Sequence, residues 1–106
     1  EKNRVIITKL KADYRDSYAK FIDNRSDYRD IAPSISVQFE NITKKFEAFE
    51  RAMERNDYTE VTKIIRIIDE MLKHMSVVLE EVPSILANSG VIGILANFLN
   101  LFLLYK

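Results

Sequence analysis

The chain has 106 residues and 12.4 kDa, with 16 Lys+Arg against 16 Asp+Glu, one His, and neither Cys nor Trp. That length holds one domain and excludes a two-domain enzyme, a barrel or a doubly wound dinucleotide-binding sheet. Zero net charge removes the electrostatic drive for general nucleic-acid binding, and the lack of cysteine excludes disulfides, thiolate metal sites and thiol nucleophiles.

Two Gly and two Pro leave too little turn punctuation for a β-rich fold, so an all-α architecture is expected. The chain opens at Glu1 rather than Met, and a piece of a longer protein is expected. Every charged residue except Lys106 lies in 1–81, and none occurs from Val82 to Tyr105. This divides the chain into a charged amphipathic body, 1–86, and an uncharged apolar tail, 87–106.

In the body, Ile7, Leu10, Tyr14, Ser17, Phe21, Asn24 and Tyr28 recur in steps of three and four, with Tyr18 and Ile22 widening the stripe. The spacing predicts a first helix over about 4–29 with one wet face. Asp30-Ile31-Ala32-Pro33-Ser34 stops it, because proline disfavours α conformation in the residue before it and is tolerated in the first turn of a new helix. A second helix is predicted over about 34–55. Its stripe, Ile35, Phe39, Ile42, Phe46, Phe49 and Met53, alternates four and three without a miss, as knobs-into-holes packing requires.

Arg55-Asn56-Asp57 should close a tight helical hairpin, with Asn56 in the left-handed position, Asp57 capping the next helix and Glu60 completing a capping box. The third helix, about 58–87, carries Tyr58, Val61, Ile65, Ile68, Leu72, Met75, Leu79 and Val82, with a second stripe of Ile64, Met71, Val78 and Ile85. Two adjoining apolar faces predict two neighbours at once. Matched lengths and short connections imply an antiparallel up-down-up three-helix bundle. Tyr14, Tyr18, Tyr28 and Tyr58 are expected to bury their rings and keep their hydroxyls at the rim.

The tail has about 15 nearly continuous apolar positions from Val91 to Tyr105, broken by Gly93, Asn97 and Asn100. A spanning helix needs roughly 20. Asn88-Ser89-Gly90 reads as a stop and restart, and Asn97 and Asn100 share a helical face that suits packing beside polar groups. A fourth helix is expected, on the body or on a second copy. A membrane-associated end is the alternative.

No catalytic, cofactor-binding or metal site is expected. His74 and Glu70 form an i, i+4 pair, but a di-iron bundle wants Glu-x-x-His on two helices and there is no second histidine. The adjacent acids Asp69-Glu70 and Glu80-Glu81 point to different helix faces rather than converging as an acid/base pair. Gly90 and Gly93 lack the strand-turn-helix setting of a phosphate loop.

The stretch Phe39–Leu86 resembles the EzrA-type septation ring formation regulators of Gram-positive bacteria. The likeness rests on the heptad helix ending in Phe46-x-x-Phe49, the Asn56-Asp57-Tyr58 turn where the family often has Gly-Asp-Tyr, and the exit through Val82-Pro83-Ser84-Ile85-Leu86, similar to the family's Ile-Pro-x-Leu-Leu. The opening helix through Tyr28 is also similar to the one preceding this hairpin in the family. The resemblance implies a spectrin-like repeat from the cytoplasmic arm of a protein with an N-terminal membrane anchor, localised at the septum. It implies a non-enzymatic partner of the division GTPase FtsZ and of other division proteins, limiting extra Z-rings. After Glu81 the chain departs from the family, which continues with a charged helix.

Three readings follow: a structural and interaction module of bacterial division; a membrane-associated helical protein anchored by its tail; and an all-α ligand or sensor bundle. The first expects protein partners, self-association through the tail as an option, and neither nucleic acid nor a small-molecule substrate.

Overall fold

The computed structural model describes residues 2–86, and the tail expected as a fourth helix lies outside the described residues. The order is α1 (Lys2–Asp23), a 3-10 connection (Arg25–Ile31), α2 (Ala32–Glu54) and α3 (Tyr58–Leu86). Among the described residues there is no strand.

The first helix ends at Asp23 rather than at 29. At Asn24 the backbone turns to φ −121°, ψ 25°, and its side-chain amide donates to the Lys20 carbonyl at 2.9 Å. Such local bonding competes with helix continuation. Arg29, at φ 49° and ψ −130°, then breaks the 3-10 connection in two. The outcome is insertion of Tyr28 into the core at 1% exposure, with its hydroxyl donating to the Leu79 carbonyl at 2.9 Å. The rim position expected for that hydroxyl is therefore corrected.

Pro33 occupies the first turn of α2, where its missing N–H costs nothing. The hairpin to α3 follows the residues closely. Asn56 takes φ 58°, its N–H donates to the Met53 carbonyl at 3.0 Å, and the Asp57 N–H reaches back to Ala52 at 2.9 Å. These two bonds form a Schellman stop. Asp57 then accepts the Glu60 N–H through Oδ1 at 3.2 Å and starts α3. Replacing Asn56 with Val should cost about 1–2 kcal/mol in urea denaturation, whereas Asn56→Gly should be neutral or stabilising, because only a residue tolerant of positive φ fits there.

Pro83 lies inside α3, which nevertheless runs on to Leu86. A proline at 83 cannot donate to the carbonyl four residues back, which is that of Leu79. Tyr28 supplies the missing donor, so the helix passes the proline with its carbonyl satisfied. One turn on, Arg29 Nη1 donates to the Leu86 carbonyl at 3.0 Å, and the connection thus clasps the end of α3 at two points.

The contacts fix the relative directions. Arg4, near the start of α1, meets Glu50, near the end of α2, while Arg25 just past α1 meets Ser36 near the start of α2. These helices run opposite ways. Lys9, Asp13, Asp16 and Ser17 of α1 line one cleft together with Asp69, Leu72, Lys73 and Ser76 of α3. α3 packs against both other helices. One core runs along them, from Ile7 and Leu10 through Phe21, Phe39, Phe49, Ile68 and Met75. Tyr18, Ile22 and Tyr58, which the stripes would bury, lie at its edge at 41%, 44% and 54% exposure.

Candidate functional site

The surfaces available to partners are set by how each helix pair is filled. Between α1 and α2 the filling is aromatic. Tyr14 and Tyr18 present edges to Phe39 at 5.7 and 5.3 Å between ring centres, and Tyr14 does the same to Phe46 at 5.9 Å. Phe21 stacks on Phe39 at 5.6 Å and tilts against Tyr28 at 5.6 Å. Both the stacked and edge-on geometries suit the ring quadrupole.

Arginines close both ends of the row, Arg4 over Phe49 at 5.6 Å and Arg25 over Phe21 at 5.3 Å. Arg4 Nη1 also bonds both carboxylate oxygens of Glu50 at 3.2 Å, with Lys11 Nζ at 3.6 Å. These pairs are about half exposed and contribute roughly 0–1 kcal/mol each, so they set register more than stability. The row opens to solvent at Tyr18 and Ile22, one helical turn apart, giving a mixed aromatic and aliphatic edge of the type protein interfaces favour.

The α1–α3 side is different. A cleft of about 380 Å³ is lined by Lys9, Asp13, Asp16, Ser17, Asp69, Leu72, Lys73 and Ser76. Four of its five charges answer one another, Lys9 to Asp13 and Lys73 to Asp69, each at 3.0 Å. Asp16 leaves the lining with one acid more than it has lysines. On α2, Lys44, Lys45 and Arg51 surround a depression of about 320 Å³ floored by Asn41 and Ala48. At the start of α3, Tyr58, Thr59, Thr62, Lys63 and Arg66 line another of about 540 Å³. A neutral chain thus carries a basic flank suited to carboxylates on a partner.

His74 is half-buried on α3, and burial holds its imidazole below the ordinary 6.5. Asp69 faces the α1–α3 cleft, while Glu70, Glu80 and Glu81 are exposed. Among the described residues no three His, Asp or Glu side chains gather as a metal site would need. Gly90 and Gly93 lie outside the described residues. Burial pushes the Tyr28 phenol above 10.0, with the Asp27 charge adding to it, so its hydroxyl stays a proton donor. Burial also raises Tyr14, against a hydrogen bond with Thr43.

Two features escaped the apolar stripes. Gln38 and Asn41 are buried at 1% and 7% exposure, and Gln38 Oε1 and Asn41 Nδ2 have no hydrogen-bond partner among the described residues. The stripes count only apolar positions, so buried amides leave no mark on them. The only signal was their own three-residue spacing beside the heptad seam.

The fold and its surfaces define an all-helical module whose interior is packed with side chains and whose distinguishing features are edges and flanks. The family model described as "Septation ring formation regulator, EzrA" matches residues 1–91, and the chain belongs to that family. Septation ring formation regulators EzrA from two strains of Staphylococcus epidermidis are each 21% identical to it over 86 residues, 81% of this chain. The chain spans about 15% of the length of these curated relatives. No solved structure matches. Among the described residues, no helix is long and apolar enough to cross a membrane.

Proposed function

We propose that residues 1–86 form one spectrin-like up-down-up repeat, a non-enzymatic spacer and docking surface within a septation regulator that modulates FtsZ ring assembly at a membrane-anchored division site. The family match over 1–91 carries this reading. Three helices sharing one core, with α3 packed against both others, support the repeat. The exposed Tyr18–Ile22 edge and the basic flank of α2 are the surfaces on which partners would dock.

Sedimentation of FtsZ polymers with the intact protein that carries this repeat tests the reading. The expected result is reduced polymer mass, with partial relief when Tyr18 and Ile22 are both changed to Ser. Unchanged polymer mass with the intact protein would remove the division role and leave the repeat standing.

A further inference from the structure

Arg29 lies at φ 49°, ψ −130°, outside the regions open to a residue with a Cβ and in the half of the map that glycine enters freely. A conformation of this kind persists only where the surroundings over-determine it. Here α3 does so. Tyr28 donates to the Leu79 carbonyl at 2.9 Å and Arg29 Nη1 to the Leu86 carbonyl at 3.0 Å, so adjacent residues grip α3 on either side of Pro83.

The dependence runs both ways. Pro83 removes one rung from the end of α3, and the Leu86 carbonyl is among those that a helix terminus leaves without an internal donor. A strained connection and a weakened helix end therefore complete each other. The start of the connection is fixed separately, with Arg25 over the Phe21 ring at 5.3 Å and bonded to the Ser36 hydroxyl at 3.1 Å. The strain is confined beyond that anchor.

We propose that residues 26–31 and 83–86 form one sprung unit, a strap and the helix end it holds, which opens as a whole while the rest of α1–α3 stays folded. Opening recovers the backbone strain at Arg29, which offsets part of the cost here and nowhere else in the core. Neither half opens alone, because losing the strap strands the Leu79 and Leu86 carbonyls, and losing the helix end leaves Arg29 strained with nothing to hold it. The unit depends on the connection and α3 alone, so it stands or falls separately from the septation reading.

Native-state hydrogen exchange of the full chain at low urea tests it. The Asp27 and Ala32 amides, bonded to the Asn24 and Arg29 carbonyls, report on the strap. The amides of residues 84–86 report on the helix end, and those of Ile42 and Phe46 on the core. In the unmodified chain, strap and helix end should share one urea dependence and exchange at least ~10-fold faster than the core. Exchange at the core's rate, or separate urea dependences for the two, would overturn the proposal without recourse to any variant.

Substitutions sharpen the test. Phe49→Leu, near the other end of α2, should speed the core amides and leave strap and helix end unchanged, because the open unit still buries residue 49. Arg29→Ala should speed residues 84–86 as much as Asp27 and Ala32, by about 10-fold. Arg29→Gly loses the same guanidinium but carries no strain, and should speed them at least ~3-fold less. A response to Phe49→Leu matching the core's, an Arg29→Ala effect confined to the strap, or equal effects of Ala and Gly would each overturn it.

Discussion

Replacing Phe39 with alanine is expected to lower the stability of the protein by about 3–5 kcal/mol, read as a fall in the urea midpoint at unchanged slope. The ring is 1% exposed and sits where Tyr14, Tyr18 and Phe21 all reach it, at 5.3 to 5.7 Å between ring centres. Truncation removes the one side chain that those three rings of α1 share on α2, and helices held apart by such large groups cannot close the gap without breaking their packing on α3. A small domain holds roughly 5–15 kcal/mol in total, so the loss is a large share of the whole. Tyr58→Ala is the control. With 54% of that residue exposed, the change should stay within about 0.5 kcal/mol. Equal losses for the two variants would show that the ring row is not the keystone of the α1–α2 contact.

The second large effect concerns Tyr28 and Pro83 together. Tyr28→Phe removes a single oxygen, yet it strands the Leu79 carbonyl, which Pro83 has already deprived of its helical donor. The expected cost is about 1–3 kcal/mol, the penalty for a buried acceptor left unsatisfied rather than the smaller net value of an ordinary hydrogen bond. In a Pro83→Ala background the amide at 83 can bond Leu79 itself, and Tyr28→Phe should then cost under about 1 kcal/mol. A double-mutant cycle by thermal or urea denaturation isolates this coupling. The same cost in both backgrounds would mean that the Tyr28 hydroxyl stabilises independently of the helical donor that Pro83 lacks.

These two sites also mark how far the fold could be read from the residues. Heptad spacing located α2 and α3, because a seam that must face one partner over many turns repeats at a fixed period. The turn between them was equally legible, since Asn56 and Asp57 have chemistry particular to a left-handed stop and a helix start. The end of α1 was not. Tyr28 keeps step with Phe21 along the stripe, so periodicity carries the helix through it. The helix stops at Asp23, and Tyr28 turns inward to the carbonyl of Leu79, left without a helical donor by a proline 55 positions further on than Tyr28.

Of the surfaces, the apolar stripes named the residues of the Tyr18–Ile22 edge but placed them in the core. A 3-4 pattern gives the centre of a face and not how far the neighbouring helix reaches round it. The buried amides of Gln38 and Asn41 were hidden for the complementary reason, because burial of a polar side chain depends on what covers it in three dimensions.

In the proposed up-down-up repeat α2 returns between α1 and α3, which would set Lys2 and Leu86 at opposite poles of a body 49 Å long and 25 by 17 Å across. Tension applied between those poles loads the helix contacts in shear along their whole length, so many side chains must slip together before anything gives. A hairpin pulled from one end would instead unzip one turn at a time. The clasp of Tyr28 and Arg29 would add two bonds that must also break before the last turns of α3 could slide.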